Sequence, residues 1–183
     1  ADSLVVAFEA SPMLRRIFER CGAKYIDIRA HSERFLDDLP LAFLSNSFRA
    51  RDVLTRYALP NEELSRARDE LRHSFSRAET FPVEIPANSV VFLAQTKHDS
   101  SVILPNGEFF DVLPCLENVQ TIMKSCGSNS LLVKAHPLEP ESDVVQALMA
   151  LPEARRTNEN VYWLMSSENV SAFITFSSSA GHE

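Results

Sequence analysis

Four short apolar runs in the second half of the chain set the tightest limit on its fold. They are "SVVFLAQ" (89–95), "SLLVKAHP" (130–137), "NVYWLM" (160–165) and "AFITF" (172–176). Such runs read as strands. The segments between them read as helices or helical turns. "PCLENVQTIMKSCG" (114–127) has proline near its start and glycine at its end, "PESDVVQALMAL" (140–151) is a shorter helix, and "SSENVSA" (166–172) is a helical turn. Strand and helix alternate with short connections, which predicts a parallel sheet covered by helices on both faces. The stretch "KHDSSVILPNGEFFDVL" (97–113) is a long loop with a turn at Pro105-Asn106-Gly107.

The first half begins in the same way. "SLVVAF" (3–8) and "KYIDIR" (24–29) are strands, and "SPMLRRIFERCG" (11–22) between them is a helix, with Ser11 to cap it, Pro12 at its first position and Gly22 at its end. Residues 35–57, apolar but interrupted by Pro40, predict two helical pieces, and 61–78 predicts a polar helix capped by Asn61. "ETFPVEIPANS" (79–89) reads as a connector. The chain is thus expected to be α/β, with two Rossmann-like lobes built on parallel sheets. An N-terminal lobe spans 1–80 and a C-terminal lobe spans 89–183. The second lobe breaks off before the last elements of a doubly wound fold, so further chain is expected after Glu183 and before Ala1.

Composition supports a packed core: 45% of residues are apolar and 23% charged among 183. The net charge of −7 argues against non-specific nucleic-acid binding, which needs a cationic surface. Cys21, Cys115 and Cys126 form no CxxC or Cys/His cluster, so they read as reduced thiols of a cytoplasmic protein rather than zinc ligands. No apolar run approaches the ~20 residues of a membrane span, and "ADSLVVAFEA" has no basic region of a signal peptide.

In open parallel sheets, ligands bind outside the carboxyl ends of the strands. The corresponding segments here are "AQTKHDSS" (94–101), "KAHPLEP" (134–140), "MSSEN" (165–169) and "SSSAGHE" (177–183). They gather Lys97, His98, Asp99, Lys134, His136, Ser177, Ser178 and Ser179. The three serines lead into an expected helix start, where free N–H groups favour a phosphate or carboxylate; they also suit plain helix capping. Glu183 would reach ribose hydroxyls or complete a capping box. Pro137 fixes the backbone behind His136. Asp99 has the chemistry of a nucleophile or base, and Glu9, just past the first strand, is its counterpart in the other lobe. A carboxylate from each lobe would suit glycosyl transfer.

"LLVKAHP" followed some 40 residues later by "FITFSSSAGHE" resembles the bacterial β-Kdo glycosyltransferases and capsular polysaccharide synthesis proteins. "QTKHDSS" (95–101) is similar to that family's Q-x-x-x-D-[ST] segment, with Gln95 and Ser100 in register, and "YIDIRAHSERFLDDL" (25–39) is similar to a first-lobe stretch. The resemblance implies a GT-B architecture, a CMP-activated acidic sugar such as CMP-Kdo as donor, a glycan or glycolipid acceptor, and no metal or cofactor. It implies that Lys134, His136, Pro137, Ser177–Ser179 and Glu183 hold the nucleotide, that Asp99 is the catalytic carboxylate, and that Glu9 is an acid/base. It also implies a cytoplasmic location, with room for peripheral association with the inner membrane or a polysaccharide assembly complex. Two other readings compete. One is a non-catalytic nucleotide-sugar-binding or interaction module. The other is a serine hydrolase, which the missing G-x-S-x-G elbow disfavours. A dinucleotide enzyme is disfavoured by the missing G-x-G-x-x-G and by only four glycines.

Overall fold

A computed structural model describes residues 3–31, 33, 36, 40–76, 84–97, 99, 102–104, 106–178 and 181. The chain divides into two compact units, residues 1–70 and 71–182.

In the first unit, β1 (Leu4–Phe8), α1 (Pro12–Arg20) and β2 (Lys24–Ala30) form the expected β-α-β turn, with β1 and β2 parallel. The α1 signals act as read. The Ser11 side chain accepts from the Leu14 N–H at 3.2 Å, and Gly22, at φ 67°, provides the left-handed exit. The 35–57 expectation needs correcting. Beyond Pro40 the chain forms not a helix but a strand, β3 (Leu41–Ser45), antiparallel to β2, and only then α2 (Phe48–Thr55), capped by Ser47. The run "LAFLS" has good helix formers, but β2 offers an open edge, and ladder pairing from Ile26↔Ser45 to Ala30↔Leu41 overrides propensity. This sheet, in the order β1-β2-β3, is therefore mixed rather than parallel. Of the piece 35–40, only Leu36 and Pro40 lie within the described residues. The polar helix α3 (Asn61–Ser76) follows.

The second unit carries an all-parallel sheet in the order β6-β5-β4-β7. Its elements are β4 (Ser89–Leu93), α4 (Glu117–Ser125), β5 (Leu131–Lys134), α5 (Asp143–Met149), β6 (Ala154–Arg156), α6 (Val161–Ser166) and β7 (Val170–Thr175). All five residues of β4 are buried, so it is the central strand. On one face Val90, Phe92, Leu131 and Val133 pack beneath Val119 and Met123 of α4 and Val145 and Leu148 of α5. On the other, Val91, Leu93 and Leu132 pack beneath Trp163 and Leu164 of α6, with Ile85 and Phe75 alongside. Helices thus cover both faces, as in a Rossmann-like lobe.

Two expectations in this half are corrected. "NVYWLM" is the helix α6, not a strand, and "SSENVSA" is a tight turn that runs straight into β7. The aromatic and β-branched content suggests a strand, but the Asn160 side chain accepts from the Tyr162 N–H at 2.8 Å and caps a helix. The third strand is instead Ala154–Arg156, a charged edge segment without an apolar pattern.

Candidate functional site

Strand order locates the site. From β4 the chain crosses through α4 to β5 and through α5 to β6, moving outward on one side; through α6 it then returns to place β7 on the other side of β4. The connections therefore part company between β4 and β7. In open α/β sheets such a switch point opens a crevice at the carboxyl ends of the two strands. Residues 94–97 leave β4 there and 176–178 leave β7, with 135–139 beside them at the end of β5.

A cavity of about 110 Å³ occupies this edge. Phe92, Phe110 and Phe176 give it an aromatic wall; Phe176 lies 6.0 Å from Phe92 and 6.2 Å from Phe110 between ring centroids, all tilted. Gln95, Lys97 and Asp143 supply polar groups. Phe110 is carried by the loop after β4, which folds back on itself: the Phe110 N–H donates to the Val102 carbonyl at 2.7 Å, and Gly107, at φ 89°, turns the chain. That turn is where Asn106-Gly107 placed it; Pro105 lies outside the described residues.

His136 sits just past β5, half-buried, and its ring is oriented. Nδ1 accepts from the Leu138 N–H at 3.2 Å, and the His136 carbonyl accepts from the Glu139 N–H at 3.0 Å. With Nδ1 engaged as an acceptor, the ring proton belongs on Nε2, which is then a donor. Pro137 is exposed at the tip of this turn. Glu139 ties it to the β4 loop by accepting from the Lys97 N–H at 3.1 Å. Lys134, the last residue of β5, donates from Nζ to the Glu159 carbonyl at 2.6 Å. Burial pushes its pKa down, partly opposed by the Glu159 carboxylate. One of its three N–H donors is thereby used in bracing the β6–α6 loop.

At the end of β7 the Thr175 hydroxyl accepts from the Ser178 N–H at 3.0 Å, and the Ser178 carbonyl accepts from the Gly181 N–H at 3.0 Å. A side chain at 181 would collide with the Thr175 methyl group, so the tight path of this loop depends on glycine. The Ser177 Oγ is buried and has no hydrogen-bond partner among the described residues. Buried hydroxyls are ordinarily satisfied, so this one stands out, although Ser177, like Lys134 and His136, does not line the cavity. Asp99 is half-buried in the β4 loop, held by its own backbone: its N–H donates to the Thr96 carbonyl at 3.3 Å and its carbonyl accepts from the Val102 N–H at 3.1 Å. It does not line the cavity, whereas Gln95 does. His98, Ser100, Ser179 and Glu183 lie outside the described residues. Glu9 belongs to the first unit, exposed at the carboxyl end of β1 and in the left-handed region at φ 52°.

The sequence reading missed Phe110, Phe176 and Asp143. A signal for the first existed: the aromatic pair of "GEFFDV" stands out in a polar loop, and of the two Phe110 lines the cavity. Asp143 reads only as a first-turn helix residue. Among the described residues no group of three or more His, Cys, Asp or Glu is placed to hold a metal, and no helix is long and apolar enough to cross a membrane. No protein-family model matches the chain, and no curated protein matches it. The fold and site together define a Rossmann-like α/β unit with a lined crevice at its switch point.

Proposed function

We propose that the carboxyl edge of the second unit binds the nucleotide of an activated sugar. On this reading the protein is a glycosyltransferase of bacterial surface polysaccharide synthesis, moving an acidic, Kdo-like sugar from a CMP donor to a glycan or glycolipid acceptor in the cytoplasm. One observation carries the reading: at the switch point an aromatic-walled cavity lies on the strand-end edge that also bears an oriented imidazole, a lysine and a buried hydroxyl without a partner among the described residues. The wall suits a flat base. His136 Nε2, the remaining Lys134 donors and the Ser177 Oγ suit phosphate oxygens. Asp99 is then the candidate nucleophile or base for the sugar, and Glu9 the candidate acid/base. The K-x-H-P and serine-pair resemblance supports the donor class.

The test is thermal stabilisation by CMP, UMP, UDP and GDP, followed by transfer of labelled sugar from CMP-Kdo. Ligand that binds only the folded state raises its stability by mass action. Stabilisation by CMP with transfer is expected. Stabilisation without transfer would identify a binding module instead, and no response to any nucleotide would defeat the reading.

A further inference from the structure

The turn that carries Glu9 is held by side chains rather than by the turn itself. The Ala10 N–H donates to Asp27 Oδ1 at 2.8 Å, and the Ala10 carbonyl accepts from Arg29 Nη2 at 2.7 Å. Both polar groups of this one residue are thus taken by β2 side chains two positions apart, which project from the same face of the sheet. The two are also bound to each other, Arg29 Nε donating to Asp27 Oδ2 at 2.8 Å, with Arg15 Nε of α1 at 3.9 Å from the same oxygen. Asp27 is 0% exposed, in the middle of the sheet. The preceding Glu9 N–H donates to the Ile28 carbonyl at 2.8 Å. Between these fixed points Glu9 adopts a left-handed backbone, which a residue with a Cβ avoids and glycine accepts readily. Its carboxylate makes no hydrogen bond or ion pair among the described residues, so the strain is not repaid by a local contact. Strained, side-chain-enforced conformations of this kind mark functional positions.

We propose that Asp27 and Arg29 are positioning residues that clamp the peptide after Glu9, force Glu9 into the left-handed conformation and so fix where its carboxylate is presented. The role of that carboxylate as an acid/base rests on the glycosyltransferase reading; the clamp does not. The test is a thermodynamic cycle in the full chain: wild type, Glu9→Gly, Arg29→Gln and the double variant, with urea midpoints followed by hydrogen exchange of the β1 and β2 amides. Glu9→Gly is expected to raise the midpoint in wild type, because glycine removes the strain. In the Arg29→Gln background the gain should fall to less than half. Arg29→Lys, which keeps the charge but not the two-pronged contact, should act likewise if Arg29→Gln fails to fold. An equal gain in both backgrounds would overturn the clamp, since the turn's own backbone would then enforce the conformation. If CMP-sugar transfer is observed, Arg29→Lys should lower kcat by about tenfold or more with donor KM unchanged, the signature of a displaced group. An unchanged kcat would overturn positioning for catalysis, whereas absence of transfer in wild type would count against the glycosyltransferase reading alone, with the cycle still deciding the clamp.

Discussion

Ser177→Ala should make the unliganded protein more stable and its ligand complex weaker. The Ser177 Oγ, just past the end of β7, is buried without a hydrogen-bond partner among the described residues. Leaving a hydroxyl unsatisfied costs about 1–3 kcal/mol. Removing it recovers that cost, less the dispersion contacts of one atom, which are a few tenths of a kcal/mol at most. The net gain should be about 1 kcal/mol, or roughly 2–4 °C in Tm for a chain of this size. Trp163 is the only tryptophan and sits in the core of the second unit, so its fluorescence reports unfolding of that unit. The loss in binding should be larger than the gain in stability. A hydroxyl bonded to a charged phosphate oxygen contributes about 1.5–3 kcal/mol, so the Kd for CMP should rise by roughly tenfold or more. If Ser177→Ala instead loses 1 kcal/mol or more of stability, the hydroxyl is satisfied and the reasoning fails.

Lys134 gives a prediction in pH. Burial lowers its pKa below the ordinary value, so the unfolded chain holds this proton more tightly than the folded one, and unfolding free energy rises with pH through the window from the lowered value up to the ordinary value of 10.5. Urea unfolding across that alkaline range should show this rise in wild type and a smaller one in Lys134→Met; equal slopes would refute it. Asn160→Ala should cost about 0.5–2 kcal/mol by uncapping α6, measured by denaturant unfolding. Asp99→Asn, if Asp99 is the nucleophile, should leave CMP affinity nearly intact while transfer falls by orders of magnitude; retained turnover would refute that role.

The strands β4 and β5 were legible because they are buried on both faces and therefore written as uninterrupted apolar runs; β7, a partly buried edge strand, was legible because Ala172 and Ile174 pack on one face and Val170 and Phe173 on the other. The other edge strand, β6, was not, because Ala154-Arg155-Arg156 is short and charged and carries no apolar pattern. The helix α6 was hidden by its composition: Val161, Tyr162 and Trp163 favour strands, and only the Asn160 cap argues otherwise. In the first unit, β3 depended on the edge of β2, a tertiary partner that local sequence does not reveal. The strand-end rule singled out His136, Lys134 and Ser177 because polar residues after an apolar strand stand out; they lie at the strand-end edge but do not line the cavity. The aromatic wall was not legible. Phe92 is written as a core residue, Phe110 lies in a loop and Phe176 follows β7; the pairing of β4 with β7 brings Phe92 and Phe176 together, and the Phe110–Val102 backbone bond brings Phe110 to them.

The central claim is that the carboxyl edge around His136 holds a nucleotide phosphate, and isothermal titration of CMP into wild type and His136→Ala tests it most directly. Saturable binding to wild type is expected, with a loss of about 1.5–3 kcal/mol in the variant and the unfolding midpoint little changed, since the ring's one described hydrogen bond is to its own turn. Equal affinities, or no binding to wild type, would contradict it.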